Sequence, residues 1–157
     1  LRGAPPLDAV AVTNRPGLVG ALSVGVTAAT AFALRHGLPL FAIHHLEGHL
    51  ASVRAVAEPE WPMVALIASG GHTEIVRCDG WGEYRIVGET RDDAAGEAFD
   101  KAARLLGLGY PGGPAIARAA SSGRPRYPLP KGLSGDTVEF SFSGLKTAVA
   151  RHVERLR

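Results

Sequence analysis

Two short apolar runs, separated by a long segment rich in small residues, open the chain. The first run covers 7–13 and the second covers 38–43. The segment between them, 16–34, is uncharged and predicts a buried helix that ends near Gly37, because glycine commonly follows the last residue of a helix. Strand, helix and strand in this order predict a right-handed parallel βαβ unit, and a second helix is expected over about 45–57.

A different periodicity follows the connecting segment 57–62. Three strand-like runs, at 63–69, 73–78 and 83–90, are joined by short glycine-containing turns. Connections this short place neighbouring strands antiparallel, so the pattern predicts a meander whose first strand is buried.

Helical periodicity dominates the rest of the chain. The predicted segments are a helix over about 93–106, a short helix after the glycine-rich segment 109–114, a loop over 121–138 and a final helix from about Ser143. Three antiparallel strands followed by a helix are how a ribonuclease-H-like lobe begins. The pattern therefore predicts an α/β fold in two parts, 1–58 and 62–157.

Composition limits the fold class, the possible partners and the compartment, but it does not identify a function. Apolar residues make up 46% of the chain, with 20 Gly and 11 Pro, which is typical of a globular α/β protein with many tight loops. The net charge of +2 permits a nucleic-acid partner but does not argue for one. The single cysteine, Cys78, excludes an internal disulfide and favours a reducing compartment.

The location and completeness of the chain also have sequence signals. The uncharged run 16–34 falls just short of a membrane span, is diluted by Gly, Ser and Thr, and has no signal-peptide pattern before it. We therefore expect a cytoplasmic protein with no membrane partner. The first residue is Leu1 rather than Met, and no helix stop follows the last helix, so we expect a piece of a longer polypeptide.

A cluster of three histidines and a glutamate occupies 44–49, directly after the second strand. The carboxyl ends of parallel strands are where open α/β sheets bind ligands. On a helix, His45 and His49 share one face, so their rings can converge on one metal ion. The alternative is a helix N-terminus at which histidines only cap or pack. Two ligands do not complete a site, and no other segment supplies an evident third.

Zinc peptidases use the same histidine spacing in the motif His-Glu-x-x-His. Their glutamate follows the first histidine directly, whereas Glu47 stands two residues after His45. On a helix this places Glu47 about 200° away from His45. Glu47 cannot easily activate a metal-bound water from there, which disfavours a peptidase.

Glycines and acidic residues mark further candidate contacts. The turn of Ser69, Gly70 and Gly71 could cradle a phosphate with its amides and hydroxyl, although a plain hairpin turn uses the same residues. The polar face of helix 93–106 carries Asp100 four residues before Arg104. This face either forms solvated ion pairs or hydrogen-bonds the hydroxyls of a ribose.

Basic residues concentrate near the end of the chain. They are Lys146, Arg151, His152, Arg155 and Arg157. These side chains could contact RNA phosphates, but a solvated helix face is the favoured interpretation.

Four segments, taken in order and spacing, resemble the TsaD family, the tRNA threonylcarbamoyladenosine transferases once described as O-sialoglycoprotein endopeptidases. They are HHLEGH at 44–49, SGGHTEIV at 69–76, GETRDDAAGEAFDKAARLLGLGYPGGP at 88–114 and FSFSGLKTAVAR at 140–151. The resemblance runs from about residue 8 to residue 151. It implies the two-lobed, actin-like ATPase fold, here expected to be incomplete at both ends.

The resemblance also implies a reaction and its components. A threonylcarbamoyl group would pass from threonylcarbamoyl-AMP to the exocyclic amine of the adenosine 3′ of the anticodon, in tRNAs that read codons starting with A. One divalent metal ion per subunit, iron or zinc, is implied, with threonylcarbamoyl-AMP or ATP as the bound nucleotide. The implied partners are tRNA and accessory subunits, including a non-catalytic paralogue and an ATPase.

Particular residues acquire roles through the same resemblance. The implied metal ligands are His45 and His49, and the implied substrate-binding residues are Ile67, Ala68, Ser69, Gly70, Gly71, Asp100 and Gly113. No residue matches an evident catalytic nucleophile or general base. Arg15 and Ala117 depart from the family pattern, the latter at a position where many relatives carry an acidic residue near the ribose.

Several family features are absent from the chain and keep alternatives open. The opening Asp-Thr-Ser phosphate loop, a later substrate-binding Asn and the Asp that supplies a third metal ligand do not occur. We therefore expect the chain alone to be inactive and, because missing strands leave sheet edges open, to aggregate or be partly disordered. The alternatives are a metallopeptidase and a non-catalytic scaffold paralogue, although such paralogues lack the paired histidines.

Overall fold

The computed structural model describes residues 6–156. The chain divides into two compact units, the first ending at Pro59 and the second beginning at Glu60. Each unit is described by itself. Parallel and antiparallel sheets combined with helices give a mixed α/β structure, which confirms the predicted fold class.

The first unit is a strand–helix–strand unit followed by a short helix. Its elements are β1 (Val10–Arg15), α1 (Val19–His36), β2 (Leu40–His44), α2 (His45–Ala51) and a 3₁₀ turn (Ser52–Ala55). β1 and β2 pair in parallel, with Val10 opposite Leu40, so the predicted parallel pairing is confirmed. The helix predicted over 45–57 is wrong in its length, because the α-helical part ends at Ala51.

Gly37 ends α1 as predicted. Its φ of 65° lies in the left-handed region, which costs glycine little because it has no Cβ. The amide of Gly37 donates a hydrogen bond to the carbonyl of Leu34 at 3.4 Å, and the amide of Leu38 donates to the carbonyl of Ala33 at 2.9 Å. The chain is thereby turned directly into β2.

The expected burial of α1 and β2 is wrong within the described residues. Only Ala33 of α1 is buried, whereas the side chains of Val19 and Leu34 are 82% and 79% exposed. Phe41 of β2 is also exposed. A two-stranded sheet is narrow, and α1 carries apolar residues all round its axis, so the sheet covers only one stripe of the helix.

Within residues 6–156 no helix is both long and apolar enough to cross a bilayer.

The second unit begins with the predicted meander and continues with helices. Its elements are β3 (Met63–Ala68), β4 (Thr73–Gly80), β5 (Glu83–Glu89), α3 (Ala95–Leu105), α4 (Gly112–Ala120) and α5 (Ser143–Leu156). Both strand pairs are antiparallel, in the order β3-β4-β5, which confirms the meander.

Most buried residues of the second unit lie on the strands and on α3, which packs against α4 and α5. Ile67, Val76 and Cys78 are buried on the strands, and Ala98 and Ala103 are buried on α3. The prediction that β3 is a buried strand is wrong for one face, because the described part of the second unit does not cover the face of the sheet that carries Val64 and Leu66, and their neighbour Arg77 on β4 is exposed there too.

The segment after β5 joins the start of α3 to the start of α5. Asp92 accepts hydrogen bonds from the hydroxyl of Ser141 at 2.5 Å and from the amides of Phe142 and Ser143 at 2.8 and 3.2 Å. Burial alone raises the pKa of Asp92, but these hydrogen bonds outweigh it and hold the pKa below its ordinary value. The carboxylate therefore stabilises the N-terminus of α5 while it is ionised.

Asp93 joins two lysines from different helices. Its carboxylate contacts the ammonium of Lys101 on α3 at 2.8 Å and that of Lys146 on α5 at 2.5 Å. The hydrogen bond from Lys101 and then that from Lys146 lower the pKa of Asp93. Asp92 and Asp93 together hold α3 and α5 in one arrangement.

We expect this junction to be sensitive to acid. The folded-state pKa values of Asp92 and Asp93 are lowered, so their stabilising contribution is complete above the ordinary carboxyl pKa near 4 and is lost as the pH falls through the lowered values. Asp92→Asn should lower the melting temperature of the second unit at pH 7, and the difference from wild type should shrink towards zero by about pH 2.

Calorimetry from pH 7 to pH 2 measures this difference. Asp136→Asn is the control, because Asp136 is exposed and forms no hydrogen bond or ion pair within residues 6–156. A melting-temperature difference for Asp92→Asn that stays constant across the range would contradict the assigned role.

Candidate functional site

The two imidazoles of α2 lie side by side. His45 is the first residue of α2 and His49 is one turn later, so both rings project from the same face. Their Nε2 atoms are 3.2 Å apart and their ring centroids are 4.5 Å apart. Both residues are exposed, which leaves the two nitrogens accessible from solvent.

This geometry fits a shared metal ion. Two imidazole nitrogens bound to one tetrahedral ion at 2.0–2.1 Å are about 3.3 Å apart, close to the separation of the two Nε2 atoms here. Among residues 6–156, no group of three or more His, Cys, Asp or Glu side chains is arranged to hold a metal ion. His45 and His49 can therefore supply two ligands of a site but not a closed protein site.

Glu47 does not belong to this pair. Because α2 is helical from His45 onward, Glu47 lies about 200° round the helix from His45. No hydrogen bond joins Glu47 to either histidine. The arrangement of a zinc peptidase, in which a glutamate faces the metal, is not formed by α2.

The glycine turn of the second unit is held by its own serine. The Ser69 hydroxyl oxygen accepts hydrogen bonds from the amides of His72 and Gly71, at 3.1 and 3.4 Å. Within the described residues, the amide of Gly70 forms no hydrogen bond, and Gly70 is exposed. The turn therefore offers a ligand the amide of Gly70, while the hydroxyl and two amides stabilise the turn itself.

The residues before the turn differ in what they can reach. Ile67 is 7% exposed and its side chain packs in the core, whereas Ala68, the last residue of β3, is exposed. Neither side chain carries a polar group. Contact with a ligand at these two positions would use the backbone or, at Ala68, a methyl group.

The first turn of α3 lies directly against the glycine turn. The amide of Gly96 donates to the carbonyl of Ser69 at 3.0 Å, and the amide of Ala95 donates to the hydroxyl of Thr73 at 2.8 Å. A Cβ on Gly96 would lie 2.7 Å from the carbonyl oxygen of Ser69 and 2.8 Å from Cα of Gly70, so only glycine fits. Two amides that a helix N-terminus usually offers to an anion are thus used by the protein.

Asp100 fixes the start of α4. Its Oδ1 accepts a hydrogen bond from the amide of Gly112 at 2.7 Å. Gly112 is the first residue of α4, and a negative charge is favourable at this N-terminus because of the helix dipole. The Asp100–Arg104 ion pair, one reading of the acidic face, does not form within residues 6–156. Asp100 instead holds the glycine-rich segment against α3.

Gly112 and Gly113 differ in their surroundings although they are neighbours. A Cβ on Gly112 would lie 2.5 Å from the carbonyl oxygen of Phe99 and 2.6 Å from Cα of Asp100. A Cβ on Gly113 would meet nothing within 4 Å. Gly112 is required for packing, and Gly113 is open towards its surroundings.

A cavity of about 330 Å³, lined in part by charged side chains, adjoins Asp100. Glu97, Asp100 and Arg104 line it from α3, and Tyr110 lines it from the following segment with a ring that is 86% exposed. Carboxylates can accept hydrogen bonds from sugar hydroxyls, and an exposed aromatic ring can stack on a base. The cavity can therefore accommodate a nucleoside.

Comparison with known proteins decides the family. A family profile described as TsaD, tRNA N6-adenosine threonylcarbamoyltransferase, matches residues 3–156. The chain belongs to the TsaD family.

Curated TsaD relatives agree with this assignment. A protein from Bordetella petrii named tRNA N6-adenosine threonylcarbamoyltransferase is 59% identical over 156 residues, which cover 97% of this chain and 44% of the relative. One of the same name from Geobacillus thermodenitrificans is 58% identical over 144 residues, covering 91% of this chain and 42% of the relative. The chain thus spans somewhat less than half the length of these TsaD relatives.

The TsaD resemblance assigned residues to both units. Close contacts connect the candidate residues of the second unit: Gly96 of α3 lies against the glycine turn, and Gly112, the neighbour of Gly113, lies against Asp100. The two histidines, His45 and His49, belong to the first unit. Sequence reasoning missed Gly96 as a packing residue. An isolated glycine inside a helical pattern was the available signal, because it costs helix stability without a local benefit.

Proposed function

We propose that the TsaD protein carrying this chain transfers a threonylcarbamoyl group from threonylcarbamoyl-AMP to the exocyclic amine of the adenosine 3′ of the anticodon. The substrates are tRNAs that read codons starting with A. The names of the relatives support tRNA modification. The observation that carries the proposal is the pair of Nε2 atoms 3.2 Å apart on His45 and His49, at the spacing two ligands of one ion require.

The chain's own residues would bind and orient the reactants. His45 and His49 would hold one divalent ion, iron or zinc, which when bound supplies a Lewis acid for a carbonyl group. The free amide of Gly70 is suited to an anionic oxygen of the adenylate. AMP is already a good leaving group, so the transfer needs little further chemical activation. Holding the two reactants in the right orientation can therefore supply much of the rate enhancement.

The nucleoside end of the substrate fits the cavity beside Asp100. Oδ1 of Asp100 is committed to Gly112, so its second oxygen would contact a ribose hydroxyl. Tyr110 is exposed and can stack on the adenine. Ala117 offers no acceptor, so this protein would make fewer hydroxyl contacts than relatives with an acidic residue there.

Other components of the reaction are part of the proposal. ATP would bind as an alternative nucleotide, and accessory subunits, including a non-catalytic paralogue and an ATPase, would complete the system. No side-chain arrangement among the described residues favours the metallopeptidase. The scaffold alternative is disfavoured by the retained His45 and His49.

A parallel assay tests the proposal. The complete polypeptide carrying this sequence, with metal and accessory subunits, is given threonylcarbamoyl-AMP and unmodified tRNA, and separately a glycoprotein. We expect modified adenosine in the tRNA digest and an intact glycoprotein. Cleaved glycoprotein would favour the metallopeptidase, and absence of both products would favour the scaffold.

A further inference from the structure

The last turn of α4 and the segment that follows it have an unusual charge distribution. Residues 118–135 contain Arg118, Arg124, Arg126 and Lys131 but no Asp or Glu. All four are exposed, and none forms an ion pair within residues 6–156. We call residues 118–131 the basic loop.

Cations around the start of α3 and α5 are paired, whereas Arg104 and Arg151, like the basic loop, form no ion pair within residues 6–156. Arg91 pairs with Glu139, Lys101 pairs with Asp93 and Glu97, and Lys146 pairs with Asp93. The acidic residues near α3 are thus matched by intramolecular partners. The charges of the basic loop are left for a partner outside the described residues.

The basic loop is anchored on both sides of its centre. The ring of Tyr127 lies against His152 of α5, with centroids 3.9 Å apart, and Leu129 lines an apolar cavity of about 280 Å³ between α3 and α5. Gly132, just after the loop, lies against the backbone of Ser141, so closely that a Cβ would come within 2.8 Å of its carbonyl oxygen. The basic side chains of the loop are therefore carried by a segment that is packed against the rest of the second unit.

The local sequence stiffens this presentation. Pro125, Pro128 and Pro130 each fix one backbone angle, so the cations of the loop lose less conformational entropy on binding. Arginine supplies three of the four charges, and its planar guanidinium suits bidentate contact with phosphate. Tyr127 leaves 52% of its surface exposed beside them, available to stack on an unpaired base.

We infer that the basic loop binds the RNA phosphate backbone and docks tRNA on the second unit. The inference rests on the proposed function for the identity of the RNA. An anionic membrane is the weaker partner, because surface binding to lipid uses an amphipathic helix with an apolar face, and residues 121–131 of the basic loop are not helical.

Titration with salt tests the inference. The complete polypeptide with its accessory subunits is titrated with unmodified tRNA at several salt concentrations. The variants are Arg124→Ala with Arg126→Ala, and the control Arg35→Glu on α1, which lowers the net charge by the same two units. For the double variant we expect the Kd to rise about tenfold near 0.1 M salt, and the slope of log Kd against log salt to fall by about 2, one for each lost phosphate contact.

The control and the outcomes separate the alternatives. Arg35→Glu should leave Kd and slope near the wild-type values, and the double variant should keep its kcat at saturating tRNA. Equal Kd and slope for the double variant and wild type would overturn the inference, as would binding to phosphatidylserine vesicles without binding to tRNA. If wild type binds tRNA with the expected dependence but forms no modified nucleoside, the proposed function fails and the docking surface stands.

Discussion

Replacing His45 with alanine is expected to remove most of the proposed metal ion and at least about 100-fold of the proposed transferase activity. Even residues that only orient a metal ligand cost 10- to 100-fold in affinity or activity when changed, and His45 would be a ligand itself. One imidazole on α2 would hold the ion much more weakly, because only His49 of the pair remains. Elemental analysis of the complete polypeptide and a tRNA modification assay measure the two losses.

His36→Ala is the matched control for this change. His36 is an exposed histidine on α1 in the same unit, next to Phe32 rather than to another histidine. It should keep both metal and activity. Since His45 is exposed, its replacement should leave the melting temperature nearly unchanged; full metal content in His45→Ala would contradict the ligand assignment.

The second large effect is expected at Gly112. In Gly112→Ala the new Cβ would approach backbone atoms of Phe99 and Asp100 to within 2.5–2.6 Å, so α4 must move away from α3. This overpacking should cost about 2–3 kcal/mol and lower the melting temperature of the second unit by about 10 °C or more. The hydrogen bond from the amide of Gly112 to Asp100 would be lost in the same movement.

Gly113→Ala provides the comparison within the same turn of helix. Its Cβ meets nothing within 4 Å, and alanine favours the helix by up to about 1 kcal/mol, so the melting temperature should hold or rise. If Gly113 borders the substrate, the KM for threonylcarbamoyl-AMP should rise while stability is kept. Calorimetry compares Gly112→Ala with Gly113→Ala. Equal destabilisation by both substitutions would show that the close approach of Gly112 to the backbone of α3 does not matter for stability.

Local patterns predicted the elements of the chain well. The apolar runs, the cap at Gly37 and the short turns between 63 and 90 each act over a few residues, and the parallel pair and the meander follow from them. The expected burial was wrong for Val19 and Leu66. Burial depends on which surfaces pack together: the two-stranded sheet covers one stripe of α1, and among the described residues one face of the three-stranded sheet is left uncovered.

The candidate site was predictable in part for the same reason. The convergence of His45 and His49 follows from helical spacing alone, because both ends of the contact lie on one helix. The bond from Gly112 to Asp100 joins two elements, and no periodicity reports it. The sequence left the Ser69 hydroxyl between a ligand and a plain hairpin turn, and within the turn it accepts a hydrogen bond from the amide of His72.

X-ray absorption at the metal edge tests most directly whether the paired imidazoles hold one ion. The complete polypeptide loaded with zinc or iron should show two imidazole nitrogens at about 2.0–2.1 Å. His49→Ala should retain one imidazole at most, with much weaker binding. A metal shell without imidazole nitrogens, or one unchanged by His49→Ala, would contradict the role assigned to α2.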